Sequence, residues 1–288
     1  MSHDHASLPD DIAVALEKVA GAERLLIALD FDGTLAPLTD EPMSARALPE
    51  SATAVRELAA APDTVVAFVS GRTLADLAVI AEYEPGSPVH LAGSHGAEFR
   101  HPEGFDADAA GSQARTSARH EVSGTAEALA SSENPHAGDS EALRAAAERA
   151  VEHIEGAWIE HKAFGFGLHT RLCSPTDAAA AAAAVDDIVA RHAPDWRRRS
   201  GRDILEFAWR HEGKDSAVAQ LREQTGATAV VFAGDDVTDE DALASLGDAD
   251  LGIRVGEGET AATLRVADAK ELAGVLSALA RLRIAARS

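Results

Sequence analysis

The sequence predicts an α/β fold: a doubly wound, Rossmann-like parallel sheet whose chain is interrupted by a smaller, inserted α/β module. Three observations predict it. Short apolar runs recur and stop at carboxylates or small polar residues: LLIALD at 25–30, TVVAFVS at 64–70 and AVVFA at 229–233, the last leading into Gly234-Asp235-Asp236. Apolar runs of this length are what strands buried on both faces require. Helical stretches separate them, which is the βαβ order of a parallel sheet with right-handed crossovers. Between residues 101 and 210 the pattern changes to alternating runs, as in an antiparallel sheet with helices.

In chain order, DDIAVALEKVA at 10–20 reads as a short helix packed on the core. The first strand follows at 25–30, and Pro37 and Pro42 keep the next segment irregular. A turn at Pro49-Glu50 leads into a helix capped by Ser51 and reaching Ala61. The second strand, at 64–70, ends in Ser70-Gly71-Arg72. A helix at 74–81 and a third strand at 89–92 come next. Residues 101–140 are rich in Gly, Ser, Asp, Glu and Ala, and read as an entry loop with weakly specified helix. A helix at 141–153 precedes WIEHKAFGFGLHTRLC at 158–173, a hairpin about Gly165 and Gly167. Ser174-Pro175-Thr176-Asp177 opens a helix with proline at its first position, which seven alanines carry to about His192. Two further strands lie across Ser200-Gly201 within 196–210. The doubly wound pattern then resumes: a helix from Lys214 to Gln224, the strand at 229–233, a helix at 239–246, a strand at 251–255 and a terminal helix at 270–286. The division is thus a core of residues 1–100 and 211–288 with an inserted module of 101–210.

Composition narrows the function. The 288 residues carry 48 acidic and 26 basic side chains, a formal net charge of −22, and only four of the basic residues are lysines. So acidic a surface disfavours nucleic acid and anionic membranes as partners. No apolar run is long enough to span a bilayer, and the polar start MSHDHASLPDD lacks the order of a signal peptide. The single cysteine, Cys173, cannot form an internal disulfide; a reducing cytoplasm is expected, with Cys173 as a small buried residue. His3 and His5 are too sparse to make a metal site.

Asp30 and Asp32 fall at the carboxyl edge of the first strand, where open α/β sheets bind ligands. Asp is a poor strand residue, so two there point to chemistry. A second acidic stretch, Gly234-Asp235-Asp236-Val237-Thr238-Asp239-Glu240, ends another apolar strand. Two strand ends bearing Asp suit Mg²⁺, which takes a few carboxylates together with phosphate and water. On their own, other residues leave alternatives open. Ser70-Gly71 can hold phosphate oxygens or form a plain turn; Lys214 can neutralise phosphate or simply face solvent.

DFDGTL at 30–35 resembles the DxDGT signature of the haloacid dehalogenase superfamily of phosphohydrolases. The resemblance implies Asp30 as nucleophile, Asp32 as general acid/base, and Ser70 and Lys214 as the second- and third-motif residues. It implies Mg²⁺ on Asp30, the Asp32 carbonyl and Asp235, with Asp236 and Asp239 as outer or water-mediated ligands. Asp32, Gly33, Thr34, Ser70, Gly71 and Arg72 would cradle the phosphate.

Further segments resemble trehalose-6-phosphate phosphatases: GSHGAE at 93–98, Glu160-His161-Lys162 with His169-Thr170-Arg171, Leu205-Glu206-Phe207 and GDDVTDE at 234–240. That resemblance spans residues 24–280 and implies a cap domain that closes over the core and contacts the disaccharide. Glu160 and Lys162 share one strand face, and His169 and Arg171 repeat the spacing on the partner. They supply either sugar partners or a solvated ion-pair ladder. Glu206, polar within an apolar stretch, needs a sugar hydroxyl or an arginine of the 197–199 run. His95 is placed at the core-side mouth.

The expected activity is Mg²⁺-dependent hydrolysis of trehalose 6-phosphate through an aspartyl phosphate, the last step of trehalose biosynthesis, with a functional link to a trehalose-phosphate synthase. The competing readings are a capped phosphatase for sucrose, mannosyl or hexose phosphates, and a catalytically silent regulatory domain; retention of Asp30, Asp32, Ser70, Lys214 and Asp235 argues against the last.

The charge excess also suggests a halophilic source, because at 1 M salt the Debye length falls to about 3 Å and self-repulsion is screened. Melting temperature and activity are therefore expected to rise from low to molar KCl; maxima of both in low salt would contradict the halophilic reading.

Overall fold

Strand β1 (Leu25–Leu29) is buried along its whole length and lies at the centre of a seven-stranded sheet. This computed structural model describes residues 9–106, 137–162, 164–201, 203–210 and 212–287. The expected entry loop at 101–140 thus lies mostly outside the described residues.

The chain begins with helix α1 (Asp10–Ala20), then β1, a 3-10 turn at Pro42–Ser44, α2 (Pro49–Ala60), β2 (Thr64–Val69), α3 (Leu74–Ile80), β3 (His90–Gly93) and β4 (Glu98–Arg100). After the insertion come α6 (Lys214–Thr225), β9 (Ala229–Gly234), α7 (Glu240–Ser245), β10 (Leu251–Val255), β11 (Leu264–Val266) and α8 (Ala269–Ala286). The sheet order is β11-β10-β9-β1-β2-β3-β4, parallel throughout except for the antiparallel β3–β4 pair. Leu25, Ile27 and Leu29 point into one core beneath α1, α2 and α8, and Leu26 and Ala28 into a second beneath α6 and α7. That two-sided burial is why the run reads as unbroken hydrophobicity rather than alternation.

The chain folds into two compact units. Among the described residues the first holds 9–106, 213–235 and 239–287, and the second lies within 137–212 and 236–238. β4 and its continuation to residue 106 go with the first unit because β4 pairs with β3.

The second unit contains α4 (Ala137–Val151), β5 (Trp158–Lys162), β6 (Gly165–His169), α5 (Pro175–His192), β7 (Arg197–Gly201) and β8 (Ile204–Ala208). Its antiparallel sheet runs β5-β6-β8-β7. Phe166, Leu168 and Phe207 turn one face onto Leu143, Ala147 and Val151 of α4 and Ala181, Val185 and Val189 of α5. Of the seven alanines only Ala181 is buried in this core; the rest of the run lies on partly or fully exposed faces of α5.

Several details differ from the sequence reading. α2 starts at Pro49 with Leu48 as its non-polar N-cap, so Ser51 is inside the helix and caps nothing; proline at the first helical position sets the start. The three-residue strands β4 and β11 are too short to show a period. Gly201 is still paired in β7, and the turn falls beyond it, at Asp203 with φ +55°. Cys173 is half-exposed in a turn rather than buried. Helices expected to start at 239 and 141 start at 240 and 137.

His90, at the start of β3, is buried against Phe105, with 2.9 Å between its Nδ1 and that of His101. Burial, then the charges of His101 and Arg24, push its pKa down to about 4. A lowered histidine binds protons in the unfolded state first, so its stabilising effect is complete above pH 6.5 and is lost as pH falls towards 4. Wild-type stability is expected to decline across that window by up to about 3 kcal/mol from this group. Urea unfolding of His90→Asn between pH 7 and 4 should show a shallower decline.

Candidate active site

Parallel pairing of β1 with β9 aligns Leu29 with Ala233. The residues following both strands therefore meet at one sheet edge. Asp30 N donates to Ala233 O at 2.9 Å. Lys214, the first residue of α6, sends Nζ to Asp30 Oδ1 at 2.6 Å and Asp239 Oδ1 at 2.7 Å. The three side chains are all but sealed from solvent, at 6%, 3% and 0% exposure for Asp30, Lys214 and Asp239.

The backbone around them is shaped for this approach. Asp235 N donates to Asp239 Oδ2 at 3.1 Å, and Thr34 Oγ1 donates to Asp235 Oδ1 at 3.2 Å. Gly33 has φ +81°, and a Cβ there would lie 2.0 Å from Asp235 Oδ2. A Cβ on Gly234 would lie 2.2 Å from Asp239 Cγ. Both glycines are required by space as well as by backbone freedom at Gly33.

Asp30, Asp235 and Asp239 each offer a carboxylate oxygen, all within 4.8 Å of one another. One ammonium faces these three carboxylates. Burial works to lower the Lys214 pKa, but Asp239 and Asp30 outweigh it and hold it above the ordinary lysine value, as an ammonium. Burial pushes Asp30 up; Lys214 opposes, and Asp239 and Asp235 add to the rise. The excess buried negative charge and the all-oxygen donor set fit a hard divalent cation. Asp236 lies outside this cluster, where its Oδ1 accepts from Val237 N at 2.7 Å.

Asp32, Ser70, Gly71, Arg72 and His95 form the adjacent group. Arg72 Nε and Nη2 donate to Asp32 Oδ2 and Oδ1 at 2.6 and 2.7 Å. Ser70, buried just past β2, accepts from Arg72 N on its Oγ at 3.2 Å. His95 is buried with φ +56° and sits so close to Gly71 that a Cβ there would meet its Nε2 at 2.7 Å. Glu98, which the sequence reading did not single out, accepts from Ser94 Oγ at 2.6 Å and Leu74 N at 3.2 Å. Only its place three residues after His95 in the SHGAE stretch signalled it.

In the second unit, the pairings put Trp158, Glu160, Lys162, His169 and Glu206 on the sheet face opposite the helices. His169 Nε2 and Glu160 Oε2 are 2.6 Å apart, and Lys162 Nζ lies 2.9 Å from Glu160 Oε2 and 3.6 Å from Glu206 Oε1. Burial tends to raise Glu160, but the bonds and charges of His169 and Lys162 outweigh it and lower its pKa to about 2. Arg171 falls beyond the end of β6, not on the strand, and reaches the group by stacking its guanidinium 5.2 Å over the Trp158 ring. Trp158 itself stacks on His169 with ring centroids 4.6 Å apart. Its period-two spacing from Glu160 was the available signal.

Replacing Lys214 with Met strands a set of buried carboxylates, which costs about 3–5 kcal/mol for a broken buried pair. Urea unfolding of Lys214→Met at pH 7 should show that loss, shrinking as pH falls and Asp30, already pushed up by burial, takes up its proton.

A family model described as trehalose-phosphatase matches residues 28–269. Over 284 residues the chain is 31% identical to an uncharacterized glycosyl hydrolase, Rv2006, of Mycobacterium tuberculosis, covering 91% of this chain and 19% of that protein. It is 30% identical over 265 residues to the trehalose-phosphate phosphatase of Mycobacterium ulcerans, covering 88% of this chain and 60% of that one. The chain thus spans less than two thirds of the length of these relatives. Among solved structures, the C-terminal domain of Candida albicans trehalose-6-phosphate phosphatase superposes with a TM-score of 0.72 at 18% identity, over 94% of this chain and 96% of that one. The sheet order and the separate antiparallel unit are those of a capped, Rossmann-like haloacid dehalogenase fold, and the chain belongs to the trehalose-phosphatase family.

Proposed function

We propose that the chain is a Mg²⁺-dependent phosphatase that hydrolyses trehalose 6-phosphate to trehalose and inorganic phosphate. The observation that carries the chemistry is the buried Asp30 carboxylate, paired with Lys214 and ringed by Asp235 and Asp239 at the sheet edge. The substrate follows from the family match and the mycobacterial relatives.

Phosphoryl transfer depends chiefly on positioning and on charge stabilisation. Asp30 attacks phosphorus in line, a phosphorus–oxygen bond to Asp30 forms, and the bond to the sugar oxygen breaks. Asp32 gives its proton to that oxygen, so trehalose leaves as an alcohol. Water then attacks the phosphorus of the aspartyl phosphate; Asp32 takes a water proton, the bond to Asp30 breaks, and phosphate leaves. Lys214 neutralises charge on Asp30, while Ser70 and the amides of Thr34 and Gly71 hold the transferring oxygens; the Gly33 amide, expected among them, donates instead to Ala36 O at 2.8 Å and closes the loop around the site. Asp30, the Asp32 carbonyl and Asp235 would hold Mg²⁺, with Asp239 and Asp236 as outer partners, and the ion would supply Lewis-acid stabilisation of phosphoryl charge when bound. Glu160, Lys162, His169, Arg171 and Glu206 are the groups that would recognise the disaccharide hydroxyls, on a unit acting as the cap.

The regulatory reading is disfavoured because the chain keeps every carboxylate and the lysine that the chemistry uses. A cytoplasmic place at the end of trehalose synthesis, fed by a trehalose-phosphate synthase, completes the proposal.

Phosphate release is measured on trehalose 6-phosphate, sucrose 6-phosphate, glucose 6-phosphate and a mannosyl phosphate, with Mg²⁺ or EDTA. Trehalose 6-phosphate is expected to be preferred by at least about 10²-fold in kcat/KM, since a site that hydrogen-bonds particular hydroxyls rejects analogues that lack them. Activity should vanish with EDTA and in Asp30→Asn. Equal rates across the sugars would remove the substrate assignment, and activity persisting in Asp30→Asn would remove the mechanism.

A further inference from the structure

Arg72, expected beside the phosphate, gives two of its three guanidinium nitrogens to Asp32, while Nη1 lies 3.9 Å from Met43 Sδ. Nε and Nη2 take one carboxylate oxygen each, at 2.6 and 2.7 Å, and both side chains are largely shielded from solvent. A fork on a carboxylate fixes the plane of the acceptor as well as its charge.

The arginine is held in turn. Its N–H donates to Ser70 Oγ and its carbonyl accepts from Ser94 N at 2.6 Å, while His95 N donates to Ser70 O at 2.9 Å. Ser94, His95 and Gly96 have successive positive φ values of 48°, 56° and 96°. Two non-glycine residues in that region are costly and persist only where their surroundings over-determine them, which concentrates such backbone at functional sites. Glu98 pins the same turn through Ser94 Oγ and Leu74 N. A continuous set of contacts therefore runs from Glu98 through the strained turn and the 70–72 loop to the Asp32 carboxylate.

We infer that Arg72 is a positioning residue: it aims the Asp32 carboxyl at the leaving oxygen and does not grip the transferring phosphoryl group. The inference rests on the reading of Asp32 as general acid and base given above. When Asp32 carries its proton, one oxygen bears it towards the leaving group while the other still accepts from the guanidinium and keeps the plane. When Asp32 acts on water, both bonds are in place.

The test uses leaving groups. A sugar alkoxide needs a proton to depart, whereas p-nitrophenolate does not. kcat/KM reports the steps up to departure, so in Arg72→Gln it should fall about 10²-fold on trehalose 6-phosphate, the scale of a lost general acid, but less than about 5-fold on p-nitrophenyl phosphate. A burst of p-nitrophenol should precede slow turnover, since the second step also uses Asp32. Combined with Asp32→Asn, the Arg72 change should add less than about 2-fold, as expected for residues acting as one unit. Arg72→Lys keeps the charge, loses the fork and should show the same bias, which preserves the comparison should Arg72→Gln fail to fold. Equal losses on both esters would overturn the inference and return Arg72 to phosphate binding. If the wild type prefers another alkyl phosphate, the substrate assignment fails, and the same ratio measured on that ester still decides the role of Arg72.

Discussion

Everything at the sheet edge depends on one ammonium placed between carboxylates out of contact with water. Lys214 Nζ bonds Asp30 and Asp239, and Asp235 completes a ring of three acidic groups. Removing such charges from solvent costs several kcal/mol each, and their mutual attraction offsets this only when the geometry is close. That condition explains neighbours that otherwise look incidental. Gly234 leaves room for Asp239 to fold back, Gly33 leaves room for Asp235, and Thr34 fixes one Asp235 oxygen. The parallel register of β1 and β9 supplies the coarse alignment, and these small residues supply the last ångström.

The same charged groups recur on the open face of the second unit's sheet under different conditions. There Glu160 is 42% exposed and Lys162 and His169 about half as much. Ion pairs in contact with water contribute little to stability. The two clusters accordingly suit different tasks. The first is fixed in advance by burial and close pairing; the second, with its partners in reach of water, exchanges them at smaller cost, which suits the bond-breaking and sugar-recognition roles proposed for the two. Gly165 and Gly167 of β6 keep side chains from crowding the strip between Glu160, Lys162 and Glu206.

How much of this was legible depended on periodicity and separation. Strands such as β1 and β9 were plain because burial on both faces leaves an uninterrupted apolar run, and the charged edge was plain because aspartate there has no structural reason. β4 and β11 escaped because three residues show no period. The start of α2 was misread because Ser51 is a good capping residue in isolation, while Pro49 two positions earlier already satisfies the first turn. The contact of Arg72 with Asp32 was hidden for another reason: nothing in Ser70-Gly71-Arg72 says which carboxylate a side chain will meet across 40 residues of sequence. Trp158 was signalled in sequence only by its period-two spacing from Glu160; its stacking on His169 follows from the β5–β6 register. Contacts between distant segments, unlike local patterns, are properties of the fold.

The order of the strands carries a consequence for synthesis. β1 is emitted early, and one of its edges pairs with β2, but its other edge waits for β9, which begins at Ala229. Throughout translation of the intervening unit, a nascent chain presents an unpaired, fully apolar strand edge with Asp30 still lacking Lys214, 184 residues downstream. Unpaired apolar edges template association with other chains. The inserted unit, whose own strands are neighbours in sequence, is complete in the chain before β9 is made, so the seven-stranded sheet is the last to close and β1 keeps an open edge for longest.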